Sequence, residues 1–313
     1  MVETESIFEE LQKIQQEIFR RKTINLSIGE HRSNLKGVGL DIYDINKWRK
    51  GDPLDSIDWT LTLPNWPRNI LKIEKPETKK TPSILVVDIS PSIFVEVDKT
   101  ANKFRLLLHL IGALGFTANH FHDPVGILCI SDDIEFYLPP KFGSGHIFYA
   151  IKLIVEKANA FDAQKKKNQF IKKRSDLNAA FEFLAARLRC QCSIVVLSDL
   201  MDVINNQSEI NYDVLEFLSA KHNWNVIAVI LDDPNELMWH GSAGTILARD
   251  IETGTTQKIK AGQAISIRQE FLEKMSKLRE TLERSGVDSI TLNFGEHFNE
   301  LAQFLSQRKA MHR

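Results

Sequence analysis

The chain has 313 residues, of which 43% are hydrophobic and 26% are charged, a composition typical of a soluble globular protein. Its 40 Lys and Arg residues are balanced by 41 Asp and Glu residues, so the formal net charge is -1. This balance excludes an overall electrostatic attraction to nucleic acid or to an anionic membrane surface. A chain of this length can hold one large domain and one smaller one.

The sequence predicts a cytoplasmic protein. The N-terminus is acidic and polar, whereas a signal peptide is basic and then apolar. The most hydrophobic stretch, residues 104–121, is interrupted by Arg105, Asn119 and two histidines, so we expect a buried helix and not a membrane span. We expect reduced thiols at the three cysteines, because their spacing is not that of a zinc site.

Residues 1–80 predict a helix followed by a small β-rich region. Apolar residues recur at helical spacing within residues 6–20, and residues 69–74 have the composition of a strand. Between them, glycines and prolines break the chain into short apolar segments. The polar run Glu77-Thr-Lys-Lys80 marks the predicted boundary, after which residues 81–313 form a second domain.

Residues 81–313 alternate between strand and helix patterns. Strands are predicted at 83–88, 125–130, 134–137, 193–198, 225–231 and 288–293. Helices are predicted at 98–121, 144–157, 176–189, 212–221, 265–284 and 296–308. This alternation predicts an α/β fold with a doubly wound, mostly parallel sheet and helices on both faces.

Three connections in this second domain have distinct patterns. Asp132-Asp133 between two short strands predicts a tight hairpin and one antiparallel strand. A second hairpin is expected within 245–259, where Glu252-Thr-Gly254 supplies a turn. The lysine-rich segment 157–174 is predicted to be a solvated loop.

The segment Asp88-Ile-Ser90-Pro-Ser92 directly follows the apolar strand pattern 84–87. One interpretation is a buried parallel strand that brings a carboxylate and two hydroxyls to the carboxyl edge of the sheet, where open α/β sheets place their sites. Such oxygens are ligands for a hard divalent cation, Mg²⁺ or Mn²⁺. The alternative is a serine-rich turn that hydrogen-bonds only its own backbone.

Two further residues extend this set. Asp199 follows the apolar strand pattern 194–197, as Asp88 follows its own strand. Ser175 stands just before a predicted helix, where its hydroxyl would either cap the helix or reach a metal. The sequence therefore predicts a five-oxygen metal site made of Asp88, Ser90, Ser92, Ser175 and Asp199.

These five residues resemble the metal-ion-dependent adhesion site of von Willebrand factor A domains, a D-x-S-x-S motif followed by a Thr and an Asp, with Ser175 in place of the Thr. Other segments resemble the bacterial family called domain of unknown function 58. They are Gly51-Asp52, Ile57-Asp58-Trp59, Asp123-Pro-Val-Gly126, Pro139-Pro140 with Gly143, and Asp233-Pro-Asn-Glu236. An Arg commonly precedes the Ile-Asp-Trp segment in that family, whereas this chain has Asp55-Ser56.

The resemblance implies a function. Members of that family are thought to act with AAA+ ATPases of the MoxR type in assembling other proteins. In such a site, Ser and Thr hydroxyls bind Mg²⁺ directly and the aspartates act through water. The neutral hydroxyls leave the cation electrophilic, so a carboxylate of the partner protein is expected to complete its coordination.

An enzymatic function is the alternative. An aspartate at the end of the first sheet strand also resembles the nucleophile of haloacid-dehalogenase-type phosphatases, which would make the protein an Mg²⁺-dependent phosphohydrolase using Asp88. Those enzymes need a second carboxylate two residues later as general acid, where this chain has Ser90. We therefore expect an interaction protein without catalytic activity.

Overall fold

The structure is a computed structural model, and it describes residues 4–20, 44–50, 52, 54–66, 69–74, 81–95, 102–166, 175–188, 190–205, 210–216, 224–237, 245–249 and 256–311. The named helices in this part of the chain are α1 Thr4–Arg20, α2 Trp59–Thr62, α3 Lys103–His120, α4 Ser144–Lys166, α5 Leu177–Arg187, α6 Met201–Ile204, α7 Ala261–Arg284 and α8 His297–Met311, and residues 212–216 of the predicted helix 212–221 are also helical. The strands are β1 Asp44–Lys47, β2 Leu71–Glu74, β3 Ser83–Asp88, β4 Val125–Ile130, β5 Ile134–Lys141, β6 Ser193–Ser198, β7 Asn225–Leu231, β8 Thr245–Arg249, β9 Thr256–Lys260 and β10 Asp288–Leu292.

The chain divides into two compact units, one formed by Met1–Gly29 with Thr81–Arg313 and the other by Glu30–Lys80. In the small unit, β1 and β2 pair antiparallel, and β2 matches most of the predicted strand. The Asp58 carboxylate caps the short helix α2 by accepting hydrogen bonds from the backbone N–H groups of Thr60 and Leu61. The buried hydroxyl of Thr62 accepts a hydrogen bond from the N–H of Leu71, which ties α2 to β2.

The large unit contains a six-stranded sheet in the order β10-β7-β6-β3-β4-β5. All neighbouring strands in it run parallel except β4 and β5. The prediction of an α/β fold with a mostly parallel sheet and one antiparallel strand is therefore confirmed. Strands β3, β4 and β6 are buried along their whole length, as expected for apolar runs in the centre of such a sheet.

Successive side chains of the central strand β3 enter two separate hydrophobic clusters. Leu85 and Val87 belong to a cluster that includes residues of α1, α3, α4 and α8. Ile84 and Val86 belong to a second cluster with residues of α5 and α7. Because successive side chains of a strand point to opposite faces, apolar clusters cover both faces of β3. Within the described part of the chain, no helix has the length and apolar character needed to cross a membrane.

Helix α4 and strand β5 are among the elements that are longer than the sequence predicted. Helix α4 continues to Lys166, so the prediction of a loop from Lys157 is wrong for residues 157–166. The extra turns are held because Ala158 is buried and the Phe161 ring packs on Phe94, with 5.3 Å between ring centroids. Residues 167–174 of the predicted loop lie outside the described residues.

Strand β5 extends through Pro139-Pro140, beyond its predicted end at Tyr137. Proline is tolerated there because β5 lies at the edge of the sheet, where one side of the strand needs no ladder hydrogen bonds. Opposite it, Gly126 permits a close approach: a Cβ atom at this position would lie 2.8 Å from Cδ1 of Ile84. The second predicted hairpin is also observed, as β8 paired antiparallel with β9, and its predicted turn residues lie outside the described residues.

The sequence-based division grouped the N-terminal helix with the β-rich region, whereas α1 lies in the compact unit of the sheet. Its residues Ile7 and Leu11 are buried in the same cluster as α3. The two helices approach closely at Gly112, where a Cβ atom would lie 2.7 Å from Cδ2 of Leu11.

A chain of polar contacts connects α1, α3 and α8. Arg105 binds the carboxylate of Glu10, which also contacts Nε2 of His109 at 3.1 Å. Nδ1 of His109 lies 3.3 Å from Nε2 of His297, and the backbone N–H of Gly295 donates to Nδ1 of His297. Since Nδ1 of His297 accepts this bond, the neutral ring carries its proton on Nε2 and donates it to His109. His109 in turn donates from Nε2 to Glu10.

This arrangement requires both imidazoles to be neutral, because each ring accepts a hydrogen bond at Nδ1. Burial and the neighbouring His109 lower the pKa of His297 to about 4. Burial also lowers the pKa of His109, against the opposing effect of the Glu10 carboxylate. The ring of His109 stacks on Phe298 with 5.9 Å between centroids, so apolar surroundings add to this desolvation.

The two histidines should lower the free energy of unfolding as the pH falls from about 6.5 to about 4, whereas the raised pKa values of the buried Asp88 and Glu236 act in the opposite direction. Both histidines have folded-state pKa values below their ordinary value of 6.5, so the unfolded chain takes up protons first. The lowered pKa of His297 corresponds to a change of at most about 3 kcal/mol in the free energy of unfolding. Urea denaturation at a series of pH values measures it.

His297→Asn is the matched variant, since the amide oxygen of Asn can still accept the N–H of Gly295 but does not titrate. Relative to the wild type, its free energy of unfolding should rise as the pH is lowered over this interval, because the variant loses only the destabilising contribution of His297. An unchanged pH dependence would contradict the assignment of this destabilisation to His297.

Candidate metal site

The Asp88 side chain ends strand β3 and is held on both of its oxygens. Oδ1 accepts the backbone N–H of Ser90 at 2.8 Å, and Oδ2 accepts the hydroxyl of Ser198 at 2.5 Å. The first bond is the local turn contact that the alternative interpretation of this segment expected. The second bond reaches a neighbouring strand, so the segment is more than a turn that bonds only its own backbone.

The hydroxyls of Ser90 and Ser92 lie 3.0 Å apart, and both residues are buried. A short 3-10 turn over Pro91–Phe94 places them there, and its residues Ile93 and Phe94 belong to the hydrophobic cluster that includes α3 and α4. Three of the predicted ligands, Asp88, Ser90 and Ser92, are therefore joined by hydrogen bonds on a well-packed turn.

Asp199 comes to the same edge of the sheet because β6 pairs with β3 in parallel, with Val87 opposite Leu197. Its charge acts on Asp88: burial and the Asp199 carboxylate raise the pKa of Asp88 to about 6, against hydrogen bonds from Ser198 and Ser90. Two carboxylates buried close together favour the binding of a positive charge between or beside them.

Ser175 also lies at this edge. Its backbone N–H donates to Oδ2 of Asp202 at 2.6 Å, and the N–H of the next residue, Asp176, donates to the carbonyl of Ser131 just beyond β4. The helix that follows is capped by Asp176, whose carboxylate accepts the N–H of Ala179. The hydroxyl of Ser175 does not serve as this cap. It is buried and has no hydrogen-bond partner among the residues that the structure describes.

The sequence analysis missed the cation that Asp199 binds. Nζ of Lys103 lies 2.7 Å from Oδ2 of Asp199 and 2.9 Å from Oε2 of Glu236, and the Lys103 side chain is only 2% exposed. Burial lowers the pKa of this ammonium group, but the charges of Asp199 and Glu236 outweigh burial and raise it. The available indication in the sequence was a lysine at the start of the mostly apolar helix α3.

Three further carboxylate oxygens are buried in the segments that follow β6 and β7. Oδ1 of Asp202, Oδ2 of Asp233 and Oε1 of Glu236 are buried and have no hydrogen-bond partner in the described part of the chain. Burial, Asp199 and Asp233 raise the pKa of Glu236 to about 7, against the effect of Lys103. Asp233 and Glu236 follow strand β7, the neighbour of β6, so they belong to the same edge of the sheet.

The donor set fits a hard cation in its chemistry, since it consists of hydroxyl and carboxylate oxygens and includes the unpartnered hydroxyl of Ser175. Among the described residues, no group of three or more His, Cys, Asp or Glu side chains is arranged to hold a metal ion. The predicted set differs from such a group because only two of its five members, Asp88 and Asp199, are carboxylates.

Comparison with known families matches residues 44–281 to the family described as "Protein of unknown function DUF58". The chain belongs to the DUF58 family. The matched region contains all five predicted ligands as well as Lys103 and Glu236, and it ends within helix α7. The predicted resemblance is confirmed at the level of this family.

No curated protein is significantly similar to this DUF58 chain. Six chains among solved structures match it. One is described as "Crystal Structure of Uncharacterized Membrane Spanning Protein from Vibrio fischeri", with 12% sequence identity, a TM-score of 0.21, and coverage of 74% of this chain and 100% of that chain. A similarity at this level supports no inference about fold or function.

Replacing Ser175 by Ala should leave the metal-free protein as stable as the wild type or stabilise it by up to about 1 kcal/mol. The change removes a buried hydroxyl without a partner, whose burial is unfavourable. Thermal denaturation in EDTA measures this effect. In Mg²⁺, any rise in melting temperature shown by the wild type should be reduced in this variant.

Ser83→Ala is the matched control for this test. The hydroxyl of Ser83 is also buried and without a hydrogen-bond partner in the described part, but it lies at the opposite end of β3. This control should keep the full response to Mg²⁺. Equal responses of the two variants would argue against Ser175 as a ligand.

Proposed function

We propose that this DUF58 protein is a metal-dependent protein interaction module. Asp88, Ser90, Ser92, Ser175 and Asp199 would hold Mg²⁺ or Mn²⁺ at the carboxyl edge of the sheet. The observation that carries the proposal is the hydroxyl of Ser175, which is buried at the edge where Asp88 and Asp199 meet and has no hydrogen-bond partner among the residues that the structure describes. A bound cation would supply the favourable contact that this oxygen lacks.

The proposed fold subtype is a doubly wound, von Willebrand A-like arrangement with a metal-ion-dependent adhesion site. The parallel pairing of β6, β3 and β4 and the apolar clusters on the two faces of β3 support it. So does the D-x-S-x-S segment at the end of the central strand β3, which is where that type of site is expected.

The proposed partner is an AAA+ ATPase of the MoxR type, which the family resemblance suggests. The ligand chemistry supports a carboxylate as the contact that the partner contributes. Three neutral hydroxyls and two aspartates compensate a dication without excess negative charge, so an additional carboxylate would gain a charge-assisted bond to the metal. In this proposal the residues of this chain would hold the cation, and a ligand from the partner would complete its coordination.

Phosphohydrolase activity is disfavoured by the environment of Asp88. A nucleophilic carboxylate must reach the substrate, whereas the Asp88 side chain is buried. The position two residues later carries the hydroxyl of Ser90, which cannot act as a carboxylic general acid.

Asp88→Ala should weaken both Mg²⁺ binding and partner binding. The change removes one of the two negative charges that compensate the cation, and the loss of a charge-assisted bond of about 1.5–3 kcal/mol lowers affinity by about one to two powers of ten. Calorimetry measures Mg²⁺ binding first, and then binding to a MoxR-type ATPase from the same organism in Mg²⁺ and in EDTA. Circular dichroism checks that the variant is folded.

Asp213→Ala is the control for charge alone, since it removes an exposed aspartate outside the predicted set. It should bind the metal and the ATPase as the wild type does. Equal affinity of the wild type for the ATPase in Mg²⁺ and in EDTA would rule out the metal site as the docking point.

The purified protein should release no phosphate from ATP or from p-nitrophenyl phosphate above background in Mg²⁺. The physical reason is that Ser90 stands where such an enzyme needs a carboxylic general acid. A colorimetric phosphate assay with Asp88→Asn as the comparison measures it. Steady turnover that this substitution abolishes would favour the phosphohydrolase.

A further inference from the structure

Lys103 is the cation bound to Asp199 in this structure, and the pair is among the most buried ion pairs described. The side chains of Lys103 and Asp199 are 2% and 3% exposed, respectively. Removing two charges from water is costly, so a pair this deep is retained only when each charge compensates the other closely. Asp199 is also one of the two carboxylates that the proposed metal would need.

Both oxygens of Asp199 are already engaged. Oδ2 accepts the ammonium group of Lys103, and Oδ1 accepts the backbone N–H of Met201 at 3.2 Å. A divalent cation beside Asp199 would therefore face an ammonium group that binds the same carboxylate. Two like charges at such a short separation repel strongly in a buried site.

We propose that Lys103 is a built-in competitor of the divalent cation: its ammonium group neutralises Asp199 in the metal-free protein and shifts to Glu236 when a metal ion engages Asp199. The inference rests on the metal site proposed above and adds a regulatory residue to it. Lys103 would set how tightly the protein binds its metal, without being a ligand itself.

Glu236 is suited to receive the ammonium group. Its Oε2 already lies 2.9 Å from Nζ of Lys103, and its Oε1 has no hydrogen-bond partner among the described residues. A second N–H of Lys103 can therefore be accepted when the bond to Asp199 is lost. The movement needs only rotation of the flexible four-carbon side chain, while the start of α3 stays fixed by its Asn102 cap.

This movement of Lys103 would make the charge near the protein surface depend on whether the metal site is occupied. Glu236 is 15% exposed, compared with 2% for Lys103, and it lies on the short 3-10 turn Pro234–Leu237. When Lys103 loses or gains its bond to Asp199, the extent to which it neutralises Glu236 on this turn changes. A partner that contacts the carboxyl edge would then meet a different electrostatic surface in the two states.

The test compares Lys103→Met with Glu236→Gln by calorimetric titration with Mg²⁺ at pH 8. Met keeps the length of the side chain and removes its charge, so we expect Mg²⁺ affinity to increase by roughly tenfold or more. Gln keeps the shape of Glu236 but removes the alternative site for the ammonium group. Its Mg²⁺ affinity should decrease, because Lys103 then remains on Asp199.

Opposite changes in the two variants are the expected result. If Lys103 served only to stabilise the fold, Lys103→Met would leave Mg²⁺ affinity equal or lower, which would overturn the inference. If Lys103→Met does not fold, the result for Glu236→Gln decides. A Mg²⁺ affinity of Glu236→Gln that is unchanged or increased would then overturn the inference. The melting temperature of each variant in EDTA shows whether it is folded.

The outcome for the wild type separates this inference from the proposed function. Mg²⁺ binding by the wild type without tightening in Lys103→Met would keep the metal site and reject the competitor. Binding by Lys103→Met alone would support the competitor and reject metal dependence of the native protein. Absence of binding in all folded variants would reject both.

Discussion

The burial of two carboxylates at the ends of adjacent parallel strands is the constraint on which the rest of the site depends. Parallel pairing of β3 with β6 brings Asp88 and Asp199 to the same edge, where their mutual repulsion and desolvation oppose folding. The surrounding contacts compensate for this cost. Ser198 and Ser90 donate hydrogen bonds to Asp88, and Lys103 supplies the positive charge to Asp199. The fold thus holds the carboxylates of Asp88 and Asp199 at one edge, where a small cation would bind favourably.

Much of this arrangement could be predicted from the sequence, because periodicity and strand ends are local properties. The bounds of β3, β4, β6 and β7 were predicted to the residue, and the convergence of Asp88 and Asp199 follows from parallel pairing alone. The role of Lys103 could not be predicted in the same way. Its partners lie 96 and 133 positions away in the chain, and a lysine at a helix start is ordinarily a solvated residue.

The length of α4 shows a second limit of sequence reasoning. The charged residues near its end suggested a loop, yet buried Ala158 and the packing of Phe161 on Phe94 extend the helix to Lys166. Tertiary contacts outweighed local composition there. The same contact supports the turn that carries Ser90 and Ser92, so the far end of a helix helps to fix the proposed ligands. The polar chain from Glu10 to His297 similarly depends on contacts between helices from both ends of the sequence.

The two consecutive prolines of β5 have a consequence for assembly. Pro139 and Pro140 have no backbone N–H to offer, and they occupy the outermost strand of the six-stranded sheet. Because the N–H groups of consecutive strand residues point to opposite sides, an incoming strand from another molecule would find one donor missing along this edge. Strand addition, the route by which exposed sheet edges promote aggregation, is therefore obstructed on that side.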